Sequence, residues 1–243
     1  MATQIQSPTL VKGARGSQST IALKLLMATS GIIFILFVLA HMYGNLKAFA
    51  GHDAYDTYAA HLRTIGEPML PHEGFLWVMR AVLLLSLVVH VACAVVLWRR
   101  ARAARPVRYQ VKKHVGATFA SRLMRWGGVT ILLFVIWHLL EFTIVKINVR
   151  PDQLPTDRHD PFLLLVDSFN VWWITLIYVV AMAMLGAHLH HGIWSACQTL
   201  GWTLNTRSRR LARQIAFVLA LIISVGFVAV PIFIAAGVIT KTS

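Results

Sequence analysis

Five long apolar runs, at residues 22–49, 76–98, 126–145, 171–197 and 215–239, constrain this chain more than any other feature. A bilayer core about 30 Å thick is crossed by roughly 20 residues of helix, and each run is long enough. The 243 residues are 57% hydrophobic with 13% charged, a balance that belongs to a membrane protein rather than to a soluble domain with one core. The runs leave little sequence for anything else. The chain is therefore expected to be all-α: an integral membrane bundle of five transmembrane helices spanning 22–239, with a polar N-terminal segment at 1–21 and a short tail at 240–243.

A net charge of +14 on a soluble chain would suggest nucleic acid. Here the charges sort by side of the membrane instead, and no nucleic-acid partner is expected. With the N-terminus taken as cytoplasmic, the inner segments hold Lys12, Arg15 and Lys24, the stretch from Arg99 to Arg125, and Arg207, Arg209, Arg210 and Arg213. All nine acids, among them Asp53, Asp56, Glu67, Glu73, Glu141, Asp160 and Asp167, fall on or near the other side. That asymmetry is the positive-inside pattern, and a basic inner face also attracts anionic lipid. Cys93 and Cys197 both lie within apolar runs, so no disulfide framework is indicated. Residues 1–20 lack a short apolar core with a cleavage site, so the first run reads as a retained span rather than a signal peptide.

Histidines interrupt four of the five runs: His41, His90, His138, and the group His188, His190 and His191. An ionisable residue at membrane depth has no water to solvate it and must find a partner, a proton path or a metal. A lone histidine is explained as an interhelical hydrogen bonder; four on four helices ask for more. Because successive helices alternate in direction, depth follows from distance to the basic ends at about 1.5 Å per residue. His41 and His138 fall in an outer layer, and His90 and His188 in an inner one. Two layers of two imidazoles from facing helices suit bis-histidine ligation of two stacked haems. A proton channel or transporter would also use buried His and Glu, but with broken helices and inverted repeats, and the sequence displays neither.

The runs His41-Met-Tyr-Gly-Asn-Leu46 and His188-Leu-His-His-Gly-Ile-Trp194-Ser-Ala-Cys-Gln-Thr-Leu-Gly201 resemble the first and fourth helices of the five-helix cytochrome b subunit of succinate:quinone oxidoreductase and fumarate reductase. The similarity extends over essentially all five helices. It implies a bacterial cytoplasmic-membrane subunit of succinate dehydrogenase, respiratory complex II. Such a subunit anchors a flavoprotein and an iron-sulfur protein on the cytoplasmic face. The succinate-oxidising site is on a partner, and electrons from it pass to a quinone. It further implies two b haems held by His41, His90, His138 and His188, with helices II and IV holding the inner one and helices I and III the outer one. Within helix IV, His188 takes the ligand position by motif. His191 lies roughly 60° around the helix from it, while His190 points well away.

A second metal chemistry stays open. Cys93 and Cys197 occupy similar depths, and with His90 and His190 they supply the two thiolates and two imidazoles of a Rieske-type [2Fe-2S] centre. The plain alternative is that both cysteines are small apolar packing residues. A quinone site needs an apolar slot, hydrogen-bond partners for two carbonyls and a proton route. Outer candidates are Glu67, Glu73, Arg80 and Glu141; inner candidates are the basic helix ends with Trp98, Trp194 and Trp202.

Overall fold

The computed structural model describes residues 19–104, 119–144 and 160–242. The polar residues before 19, the basic Arg105, Arg108, Lys112 and Lys113, and the acids Asp152 and Asp157 lie outside the described residues. Among those described there are seven α-helices and no strand: α1 (Thr20–Leu46), α2 (His52–Thr64), α3 (Gly74–Ala103), α4 (Phe119–His138), α5 (Pro161–Phe169), α6 (Trp172–Thr199) and α7 (Thr206–Ala235). A 3-10 turn, Lys47–Ala50, extends α1, and a π-helical turn, Leu139–Thr143, extends α4. Five of these helices, α1, α3, α4, α6 and α7, are long and apolar enough to cross a membrane.

Local chemistry accounts for the helix starts. Ser19 Oγ accepts from the Ala22 N–H at 3.0 Å. Asn205 and Ser208 form a reciprocal capping box at the head of α7. Asp160 caps α5 by accepting from the Leu163 N–H at 2.8 Å, with Pro161 in the first turn. Two helices outrun their apolar stretches: α3 continues to Ala103 and α7 begins at Thr206 rather than near 215. Arginine and alanine are strong helix formers, so hydropathy reports where hydrocarbon ends and not where the helix ends. The segment between the third and fourth spans, which reads as a loop over 146–170 from its prolines, is helical over Pro161–Phe169.

In the bundle α1 packs on α3, α4 on α6, and α6 most extensively on α7, while α1 also reaches α6 and α7. Neither α1 with α4 nor α3 with α6 is a principal packing pair. Alanines at 212, 216 and 220, four residues apart, are buried along α7 and let it lie close to α6, as small residues do between membrane helices. At Gly226 of α7 an added Cβ would collide with the Met42 sulfur of α1.

The two ends of the bundle differ. At one, α2 and α5 fold over the spans, and Phe162 and Val166, fully buried, join Phe169, Ile174, Val230 and Ile234 in a core. We call this the capped end. At the other, Arg100 donates to Thr20 Oγ1 at 3.3 Å, and Arg209, Arg210 and Arg213 crown α7; this is the basic end. Leu84, Leu85 and Val88 of α3, Leu133 of α4, and Leu221 and Val225 of α7 are exposed. An apolar surface of that extent needs lipid as its solvent; the chain is an integral membrane protein.

Candidate cofactor site: two histidine pairs across the bundle

The four expected histidines meet in pairs. His41 of α1 and His138 of α4 approach with ring centroids 5.8 Å apart and planes at 73°. His90 of α3 and His188 of α6 approach at 6.3 Å and 52°. Each pair joins two helices that are not principal packing partners, so the imidazoles reach from α1 to α4 and from α3 to α6. Aromatic rings hold the capped-end pair: Phe37 stacks on His41 at 5.4 Å, Phe227 lies 5.6 Å from it, and Phe134 and Phe142 flank His138.

The second nitrogens fix the tautomers of two rings. Ser30 Oγ donates to the Leu26 carbonyl at 2.8 Å, and so accepts from His90 Nδ1 at 3.1 Å. Tyr178 Oη donates to Glu141 Oε2 at 2.9 Å, and so accepts from His138 Nδ1 at 3.0 Å. Trp137 Nε1 donates to the same carboxyl oxygen at 2.9 Å. In both rings Nδ1 carries the proton and Nε2 keeps its lone pair for a ligand.

The quinone candidates do not converge. Glu141, 1% exposed, is enclosed behind His138. Glu67 pairs with His72 at 3.1 Å on the capped surface. Arg80 lies over the Trp77 ring and 4.0 Å from Glu73, whose other oxygen meets Arg63 at 3.3 Å. Trp194 is at the basic end, with the Arg213 guanidinium 4.6 Å over its ring, and Trp98 is covered likewise by Arg102. Trp202 is exposed.

Against known families, the model of the succinate dehydrogenase/fumarate reductase transmembrane subunit matches residues 99–227, more than half of the chain. The chain belongs to this family. No curated protein and no solved structure matches it. The matched stretch contains α4 and α6, hence His138 and His188; His41 and His90 stand before it.

A transmembrane subunit of this family with four paired histidines raises the question of whether these residues fit haem. Two imidazoles on opposite sides of one metal, with metal–nitrogen bonds of about 2 Å, have centroids roughly 6 Å apart, which matches both pairs. The free Nε2 of His90 and of His138 and the hydrogen-bonded Nδ1 behind each are the arrangement typical of ligating histidine. His188 Nδ1 is buried without a hydrogen-bond partner. Beside the basic-end pair stand two glycines: a Cβ at Gly31 would lie 3.7 Å from His90 Cε1, and one at Gly128 3.8 Å from His188 Cε1. Larger side chains there would take the space flanking the rings. The residues fit two bis-imidazole irons.

The donor set Cys93, Cys197, His90 and His190 is arranged differently. His190 turns its ring to Phe217 of α7, 6.1 Å away, whereas α3, bearing His90 and Cys93, packs on α1. Cys93 is buried and Cys197 half-buried, both as free thiols.

One polar cluster at the capped end was not singled out by the sequence. His52 Nε2 lies 2.9 Å from Asp160 Oδ2 and 3.3 Å from Asp56 Oδ2, and Asp56 Oδ1 accepts from the Phe162 N–H at 3.1 Å. These contacts tie α2 to the head of α5. The signal was present: His52 and Asp56 are four apart, on one helical face, and Asp160-Pro161 is a helix-start signature. The hydrogen bond to Asp160 holds the His52 pKa above its ordinary 6.5 against a smaller opposing effect of burial. Burial, then the Asp160 charge, raises that of Asp56.

Proposed function

We propose that this chain is the membrane anchor and electron-transfer subunit of a bacterial succinate dehydrogenase. In this proposal the N-terminus is cytoplasmic, and the flavoprotein and iron-sulfur subunits dock at the basic end. The observation that carries it is the meeting of His41 with His138 and of His90 with His188 at the separation an interposed metal requires. The family supports the anchor role and the partners.

His41 and His138 would hold one haem b at the capped end, and His90 and His188 a second at the basic end. Bound there, haem supplies a reversible one-electron centre that takes electrons singly and passes them to a quinone. The protein's own contribution is to present neutral imidazole nitrogens, fix their tautomers through Ser30 and Tyr178, and exclude water with the surrounding phenylalanines. Arg207, Arg209, Arg210 and Arg213 at the head of α7 supply positive charge for an acidic partner surface and for anionic lipid headgroups. Basic residues at a helix N-terminus oppose the helix dipole, so their concentration there is better explained by what they face than by stability.

A [2Fe-2S] centre on Cys93, Cys197, His90 and His190 is the second reading. What favours it is the placement of both thiols, one buried and one half-buried, in helices that also carry His90 and His190; the turn of His190 to α7 weighs against it.

The test is a reduced-minus-oxidised optical spectrum of the purified complex with its soluble partners, with haem and iron quantified per membrane subunit. Sharp b-type bands with about two haems per chain are expected on the pattern of paired axial ligands. Absence of haem, with iron in excess of the soluble partner's clusters, would overturn the dihaem proposal in favour of the cysteine set. A colourless chain in an otherwise active complex would leave an anchor without a redox centre.

A further inference from the structure

Glu141 is a carboxyl placed where a carboxyl is costly. It is enclosed at 1% exposure between spanning helices, and a buried polar group must repay its lost hydration through hydrogen bonds. The partners it has chosen give it a direction. Trp137 Nε1 has only a proton to offer and donates it to Oε2, which also accepts the Tyr178 hydroxyl. A tyrosine has one proton, so with that proton committed to Glu141 the phenol oxygen can only accept from His138 Nδ1. The chain His138, Tyr178, Glu141 therefore runs one way, from imidazole N–H to carboxyl.

The basic-end pair has nothing equivalent. There His90 Nδ1 donates to Ser30, whose proton goes to a backbone carbonyl, and His188 Nδ1 has no hydrogen-bond partner. The two pairs thus differ in the second hydrogen bond while sharing the same ligand type. The π turn Leu139–Thr143 begins at the residue after His138 and contains Glu141; inserted turns of this kind gather at functional sites. Such a turn widens the helix at the position where the carboxyl must come round to both Trp137 and Tyr178.

We propose that Tyr178 and Glu141 are positioning residues for His138, and that through them the reduction potential of a haem iron held at the capped end is set lower than the two imidazoles alone would set it. This rests on the four-histidine proposal above. An imidazole whose N–H is held by a chain ending in a carboxyl is the more basic ligand, and a more basic ligand favours the oxidised metal. The same hydrogen bond locks the ring, so His138 offers Nε2 and no other atom.

The experiment is a potentiometric titration of the b-type absorption in the intact complex. It compares wild type with Tyr178→Phe and Glu141→Gln, and the low-spin ferric resonances are read on the same samples. A His41→Ala sample, missing the capped-end centre, assigns the two waves. Tyr178→Phe should make the wave assigned to the capped end about tenfold easier to reduce, which is about 59 mV for one electron, and leave the other wave in place. Glu141→Gln keeps the shape and lowers the acceptor strength, so its shift should be in the same direction and smaller. If Tyr178→Phe cannot hold haem at His138, Glu141→Gln alone decides. Full haem with unmoved midpoints in both variants, a shift confined to the basic-end wave, or loss of haem in both without any shift, would each overturn the proposal. Wild-type complex without haem would instead overturn the four-histidine proposal beneath it.

Discussion

The capped-end and basic-end pairs are both made of two histidines at nearly the same spacing, yet they are built by different means. His41 and His138 sit among Phe37, Phe134, Phe142 and Phe227, behind a carboxyl-terminated hydrogen-bond chain and under a lid made of α2 and α5. His90 and His188 sit between glycines, with one serine for a partner. The first pair is held by more packing and polar contacts than the second, where Phe34 stands edge-on to His90 at 6.0 Å and Ser30 supplies the hydrogen bond. If the pairs ligate haem as proposed, the repeated imidazoles fix what is bound, and the surroundings set how tightly and at what potential.

The sharpest way to break that comparison is to remove the pairs one at a time. Replacing His138 with alanine is expected to take away one of two haems while sparing the other, and His188→Ala should take away the opposite one. Haem per chain and the number of potentiometric waves check this directly; loss of both from either change would mean that the pairs are not independent. Next in size is a steric test of the open pair. Gly128→Leu should fill the space beside His188 and reduce basic-end haem, with the capped-end wave unaffected.

A third test works on the lid. Phe162, fully buried at the capped end, should cost about 3–5 kcal/mol on substitution by alanine, the usual range for a buried phenylalanine, and thermal unfolding in detergent measures it. If the comparison holds, the capped-end centre is lost on heating before the basic-end one in this variant.

The smallest effect concerns pH. The folded-state pKa of His52 is raised by Asp160, so its contribution is fully present below the ordinary 6.5 and is lost as pH rises through the raised value. Asp56, also raised, acts in the same sense at lower pH. Hydrogen exchange of α2 should therefore speed up as pH rises past neutrality, after correction for intrinsic exchange, and His52→Ala should abolish that dependence.

Much of this was legible in the sequence. Hydropathy over about 20 residues reports a physical threshold, the thickness of hydrocarbon, so the five spans could be counted without coordinates. The histidine depths followed from helical rise alone, and the structure brings together the two pairs that those depths matched. Side-chain direction within α6 was readable from the 100° step: His188 faces His90 while His190 faces α7.

What tertiary structure alone decided is everything that depends on a partner distant in sequence. Glu141 reads equally as a quinone acid or a ligand's support until Tyr178, 37 residues away, is seen to bind it. Helix α5 announces its start through Asp160-Pro161, but its burial against α7 and the hydrogen bond from the Phe162 N–H to Asp56 of α2 depend on partners distant in sequence. The π turn has no sequence signature, since it arises where packing outweighs regular helical hydrogen bonding. Composition and period are local properties and reach the one-dimensional sequence intact; hydrogen-bond direction and the interval between two helices exist only once the chain has closed on itself.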